Sequence, residues 1–157
     1  MTETATFGGG CFWGIEHVFR QQRGILEVRC GYMGGCIPNP SYEEVCSDCT
    51  GHAEVVQIIF DPNTVSYRLL LELFWNSHDP STPNRQGVDV GTQYRSIIFF
   101  HTPEQESAAL EIKSRLEKQR RITTHICPAM PFYMAEEYHQ RYFEKHPNKI
   151  GSCQIRY

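Results

Sequence analysis

Hydrophobic positions change period along the chain, and the period names the element. Phe12, Ile15, Val18 and Phe19 recur at helical spacing and Gly24 closes the run, which predicts a helix. Ahead of it, Thr4-Ala5-Thr6-Phe7 reads as a short strand. Ile25 to Tyr32 reads as another, ended by Gly34-Gly35. His52 to Phe60 is a third, and its run Val55 to Phe60 is apolar enough for the middle of a sheet. After the turn Asp61-Pro62-Asn63, Ser66 caps a helix to about Ser77, with Leu69, Leu70, Leu73 and Phe74 as its core face. Tyr94 to His101 is a strand. Thr102-Pro103-Glu104-Gln105 places a cap, a first-turn proline and a capping box in succession, so a helix starts there and runs to near Arg121. Thr123 to Cys127 is an edge strand before Pro128, and Ala135 to Glu144 a last helix. Residues 146–157 are expected to be a mobile tail.

Two stretches show neither period. Residues 35–52 are rich in Gly, Pro, Asn, Ser and Cys, with one helical turn expected at Tyr42 to Cys46, where Ser41 and Glu44 have capping-box spacing. Residues 79–93 form a second polar loop. Strands and helices otherwise alternate without repeat or linker, which predicts a single catalytic domain over 1–157, α/β or α+β in two layers. The length of 157 residues suffices for a core, and 40% hydrophobic with 21% charged residues is the make-up of a soluble globular chain. A net charge of −3 with scattered basic residues argues against nucleic acid, and Arg115, Lys118, Arg120 and Arg121 read as the solvated end of a helix. No apolar run approaches the roughly 20 residues of a membrane span. No signal peptide is visible, so the expected compartment is the cytoplasm.

The chemistry centres on Gly8-Gly9-Gly10-Cys11-Phe12-Trp13, where a strand turns into a helix. Backbone N–H groups at a helix start favour negative charge, so a thiol there is expected to be partly thiolate and nucleophilic. The glycines would leave it uncovered and allow another molecule's backbone to approach. The alternative is a cysteine buried in an apolar turn. The other cysteines are Cys30, Cys36, Cys46, Cys49, Cys127 and Cys153, an odd total that suggests reduced thiols rather than a disulfide framework. Three reactions fit. A cysteine–histidine hydrolase needs a partner such as His52. A zinc site would use Cys46 and Cys49 with Cys30, Cys36 or His52, although no second close pair completes it. Thiol redox chemistry needs a second cysteine, and Cys153, after Gly151-Ser152, suits that role unless it is a bystander. Glu54, among apolar neighbours at a strand start, could be a proton-holding acid or a solvent-facing carboxylate. Asp89 is the other acid of interest. Tyr42 and Tyr94 border the polar loops and could donate to a substrate oxygen or be ordinary packing. Phe12 and Trp13 could line a pocket for a methyl group or thioether, or be plain core.

Taken together, these blocks resemble one family, peptide methionine sulfoxide reductase type A. The matching residues are Gly10-Cys11-Phe12-Trp13-Gly14-x-Glu16, Gly31-Tyr32-x-Gly34-Gly35, Asn39-Pro40-Ser41-Tyr42-x-Glu44-Val45-Cys46 and Thr50-Gly51-His52-Ala53-Glu54. His78-Asp79-Pro80, Asp89-x-Gly91-x-Gln93-Tyr94-Arg95-Ser96 and Pro131-Phe132-Tyr133-x-Ala135-Glu136-x-Tyr138-His139-Gln140 complete the series. The resemblance implies a ferredoxin-like split βαβ core wrapped by long loops. It implies reduction of the S epimer of methionine sulfoxide, protein-bound or free, by a monomer that needs no metal or organic cofactor. Carried over by position, Cys11 is the nucleophile and Phe12 and Trp13 hold the ε-methyl group. Glu54 is the proton donor, Tyr42 and Tyr94 hydrogen-bond the sulfoxide oxygen, and Asp89 supports the site. Cys11 becomes sulfenic acid, a resolving thiol forms a disulfide with it, and thioredoxin or a similar dithiol reduces that disulfide. Cys153 is the first candidate for the resolving thiol and Cys49 or Cys36 the second. Cys30, Cys36 and Cys49 are extra to the family pattern, Ser47-Asp48-Cys49 departs from its usual Ser-Gly-x, and the tail is short.

Overall fold

The computed structural model describes residues 1–150; Cys153 and the rest of the expected tail beyond 150 lie outside the described residues. Its elements are β1 (Glu3–Gly8), α1 (Phe12–Arg20), β2 (Ile25–Met33), α2 (Tyr42–Cys46), β3 (Ala53–Phe60), α3 (Tyr67–Ser77), β4 (Arg85–Gln86), β5 (Asp89–Val90), β6 (Ile97–Phe100), α4 (Pro103–Glu117), β7 (His125–Pro128), β8 (Tyr133–Met134) and α5 (Tyr142–Lys145). The main sheet has the order β7-β6-β1-β3-β2-β8. β1 and β2 both run antiparallel to β3, which lies between them, and β3 and β6 both run antiparallel to β1. Each pair of parallel strands is therefore split by a third, and β6-β1-β3-β2 is the expected ferredoxin-like core. β7 extends it in parallel beside β6, and β8 adds an antiparallel edge to β2.

One apolar layer holds α1 and α3 against the sheet. Phe7 of β1 stacks on Phe19 of α1 and Phe74 of α3, with ring centroids 5.4 and 5.0 Å apart. Burial of Phe7, Phe12, Phe19, Phe60 and Phe74 removes large apolar areas from water, the main favourable term in folding. The caps form where expected, although at Thr102 the expected capping box is incomplete, since Gln105 Oε1 accepts from His101 N–H and not from Thr102 N–H. Ser41 and Glu44 make a reciprocal capping box on α2, and the hydroxyls of Ser66 and Thr102 accept from Leu69 and Gln105 N–H.

Four expectations are corrected. The buried face of α3 is Leu70, Leu71, Phe74 and Trp75; Leu69 is exposed and Leu73 half-buried. Helical spacing allows both faces, and the Trp75 indole, donating to Thr124 Oγ1 at 2.9 Å, goes with the second. β6 starts at Ile97, because Thr92–Tyr94 form a 3-10 turn whose Tyr94 carbonyl accepts from Gly10 N–H. α4 ends at Glu117, after its last apolar position, Leu116. The helix expected at Ala135–Glu144 is broken into a 3-10 turn, Glu137–His139, and α5. Tertiary bonds outcompete helical ones there: the Gln140 amide is spent on Cys30 and Ala135, and Arg141, at φ 54°, donates its N–H to Glu16.

Candidate active site

Cys11 is the N-cap of α1, immediately after β1, and is half-buried. The three glycines before it also have an internal packing purpose. A Cβ on Gly9 would lie 3.0 Å from the His78 ring, and Gly10 has φ +89° with Gln86 Cγ 2.9 Å from where a Cβ would stand. The site's own framework therefore packs on the turn that presents the thiol.

Glu54 comes from β3, beside β1, and is 1% exposed. The solvent-facing alternative is excluded. Its Oε1 accepts from Phe12 N–H at 3.1 Å, the first helical N–H after Cys11. The acid and the thiol thus share one helix start. Tyr42 stands on α2 and Tyr94 on the 3-10 turn, and each is half-buried. Burial, then the Glu54 carboxylate, pushes both phenols above their ordinary range, and Asp89 acts on Tyr94 too. Cys11 and Cys46 also lie close enough to raise Tyr94. Both phenols therefore keep their protons at neutral pH and remain hydrogen-bond donors. Asp89, on β5, is itself pushed up by burial. Cys11, Glu54, Tyr42, Tyr94 and Asp89 converge at one place from five separate segments.

The aromatic pair divides its work. Phe12 is buried against Tyr32 and His139, with centroids 5.7 and 5.1 Å away. Trp13 is half-buried, stacks flat on Tyr142 at 3.8 Å and donates its indole N–H to His139 Nδ1 at 3.0 Å. The bond makes that nitrogen an acceptor, so His139 is neutral with its proton on Nε2. Burial pushes its pKa down, against the opposing pull of Glu136 and Glu43. The ring also lies 4.4 Å from that of Tyr42. His139 is a site residue that periodicity had placed only within a last helix.

The other cysteines separate by environment. Cys30 is buried, its Sγ 3.7 Å from Phe12 O, and burial pushes its thiol well up. Cys46 is exposed as a residue, but partial burial of its thiol raises it, against hydrogen bonds with Tyr42 and Gln93 that place it on the site's wall. Cys36 and Cys49 are exposed on the loops beside α2. Among the described residues, no group of three or more His, Cys, Asp or Glu could hold a metal ion. His52 cannot serve Cys11 as a base. Its Nδ1 accepts from Gly35 N–H at 3.0 Å and its Nε2 reaches Ile37 O at 2.7 Å. No helix among the described residues is long and apolar enough to cross a membrane.

A family model described as peptide methionine sulfoxide reductase matches residues 3–157. A peptide methionine sulfoxide reductase MsrA of Methanoculleus marisnigri is 57% identical over 155 residues, covering 96% of this chain and 93% of its own. One from Geobacter sulfurreducens is 54% identical over 155 residues, covering 96% and 94%. Among solved structures, Mxr1 of Saccharomyces cerevisiae in reduced form matches with TM-score 0.88 and 38% identity, over 93% of this chain and 86% of that one. Mxr1 in complex with Trx2 matches with TM-score 0.64 and 27% identity, over 90% and 84%. With the ordered motifs, the split βαβ core and a thiol, an acid and two phenols gathered at one helix start, these matches show that the chain belongs to the peptide methionine sulfoxide reductase family.

Proposed function

We propose that the chain reduces the S epimer of methionine sulfoxide, in proteins or free, to methionine. The observation that carries the reading is the Glu54 carboxyl bonded to Phe12 N–H beside Cys11, with the Tyr42 and Tyr94 phenols held protonated nearby. A sulfoxide oxygen leaves sulfur readily only once it is protonated. Glu54 supplies the proton, and the phenols stabilise the oxygen as charge shifts. The Cys11 sulfur attacks the sulfoxide sulfur and the oxygen passes to it. The substrate gains two electrons and departs as thioether, and Cys11 loses two and becomes sulfenic acid. Asp89, beside Tyr94, acts on the site through water or a backbone group. Trp13, fixed by Tyr142 and His139, and Phe12 behind it form the apolar wall for the ε-methyl group.

A second thiol then attacks the sulfenic acid, releasing water and forming a disulfide. Cys153 is the first candidate for it; Cys49 and Cys36, exposed beside the site, are the second. An external dithiol reduces the disulfide by exchange. The Trx2 complex of a related protein supports thioredoxin in that role.

Cys11→Ser is expected to abolish dithiol-dependent reduction of the S epimer; full activity would refute the reading. Glu54→Gln is expected to slow the chemical step by at least tenfold with KM little changed, within the ~10²–10⁴ range of general acid catalysis. Mass spectrometry after one equivalent of substrate without reductant tests the resolving step: a Cys11–Cys153 crosslink supports the assignment, and a crosslink to another cysteine or persistent sulfenic acid overturns it.

A further inference from the structure

We propose that Arg95 is a positioning residue for the reaction, a brace that fixes the Tyr94 phenol relative to Cys11 and Glu54. The inference rests on the reading of Tyr94 as a donor to the sulfoxide oxygen. Tyr94 belongs to no strand. Its 3-10 turn precedes β6, and short turns of this kind have weak internal bonding. What holds the turn is therefore its ties to other segments.

Those ties are specific. Arg95 Nη1 donates to Thr92 O at 2.8 Å, two residues before Tyr94. Its Nη2 donates to Gly51 O at 3.0 Å, three residues before Glu54. One planar guanidinium thus sets the distance between the turn that carries the phenol and the segment that leads into the acid. From the other side, Tyr94 O accepts from Gly10 N–H at 3.2 Å, directly before Cys11. Asp48 Oδ1 accepts from Thr92 N–H at 3.1 Å and from the Thr92 hydroxyl.

The brace is half-buried and packed on one side by backbone. Gly34, at φ +99°, brings its backbone so close that a Cβ there would stand 3.0 Å from Arg95 Nη2. Two of its five N–H donors hold these carbonyls, and through them Arg95 acts on the turn that carries Tyr94. A lysine carries one compact ammonium and cannot span two carbonyls with fixed, coplanar donors. Losing the brace lets the phenol drift, and a misplacement of about 1 Å can cost a factor of ~10² in rate.

The test is a kinetic double-mutant cycle with Arg95→Ala and Tyr94→Phe, reading kcat and KM for a blocked methionine-S-sulfoxide with excess dithiol. Arg95→Ala is expected to lower kcat by about tenfold or more while KM moves less than about threefold, a loss of transition-state stabilisation rather than uniform binding. In the Tyr94→Phe background the same change is expected to have almost no effect, because the group it positions is gone. Arg95→Lys is expected to behave like Arg95→Ala, and it carries the cycle if the alanine variant does not fold. Independent, multiplying losses would overturn the inference. So would an unchanged kcat in a variant whose urea midpoint alone has fallen. Wild-type kcat in Tyr94→Phe would sink the assignment of Tyr94 and this inference together, whereas a slow Tyr94→Phe with multiplying losses would overturn only the inference.

Discussion

Replacing Gln140 by methionine keeps the side-chain volume and removes only the amide, so it isolates the bonds by which the segment after β8 is fastened to the sheet. Gln140 Oε1 accepts from Cys30 N–H at 2.9 Å, and its Nε2 donates to Cys30 O at 2.9 Å and Ala135 O at 3.0 Å. The side chain therefore copies a strand's pattern on the outer edge of β2, where β8 pairs only with Gly31 and Tyr32. Cys30 O keeps a second donor, Ala135 N–H at 2.9 Å. Cys30 N–H has no such reserve and would be left buried without an acceptor. Three bonds at about 1 kcal/mol each, with the orphaned N–H as the costliest element, give an expected loss of about 3 kcal/mol. That is a large part of the ~5–15 kcal/mol that holds a domain folded. Urea unfolding followed by fluorescence measures it. With an m-value of about 2 kcal/mol/M, the midpoint should fall by about 1.5 M. Because His139 is the preceding residue, turnover should fall as well, through the Trp13 wall. A loss below about 0.5 kcal/mol at unchanged m-value would refute the account of Gln140 as a false strand.

Other outcomes follow from the same geometry. Gly9→Ala sets a methyl 3.0 Å from the His78 ring, which is held at Nδ1 by Phe74 O and at Nε2 by Ser96 Oγ and so has little room to yield. Thermal unfolding should show a loss of about 1–3 kcal/mol and the turnover assay a slower enzyme; a neutral variant would disprove the packing role of that glycine. Burial holds the His139 pKa below its unfolded value of about 6.5, so the unfolded chain takes up a proton in a window where the native chain does not. Stability should therefore fall as pH drops through about 6.5 and level off below the folded pKa. Burial also lowers His101, so the measurement is the difference between wild type and His139→Gln across pH 7 to 5; identical slopes would count against a neutral His139 bonded to Trp13.

The parts of the molecule legible in the sequence are those governed by local rules. A capping box at α2, single side-chain caps at α3 and α4, and the hydrophobic period marked their starts, and the triple glycine with Cys11 marked the turn into α1. Glu54 stood out because a carboxylate amid Ala53, Val55 and Val56 needs an explanation. What could not be read depends on partners far away in sequence. Trp13 and His139 meet across 126 positions, and Gln140 reaches Cys30 across 110. The pair β4 and β5, with two residues each, is too short to show any period, yet Gln86 packs on Gly10 and Asp89 enters the site from there. Arg95 was visible only as one letter of a familial block, since nothing local says that its donors reach Gly51.

The placement of β1 has a consequence for how the protein opens. β1 is paired on both sides, with β3 and β6, and Cys11 follows it after two residues. Tyr94 and Asp89 sit instead on a 3-10 turn and a two-residue strand outside the main sheet. Amide exchange is slowest where opening requires global unfolding and fastest where a short segment can lift by itself. The nucleophile and the acid Glu54 are thus mounted on paired strands of the main sheet, and Tyr94 and Asp89 on short segments outside it that depend on their ties to hold position. Loosening around the site would release a product while the thiol keeps its orientation for the reaction that follows.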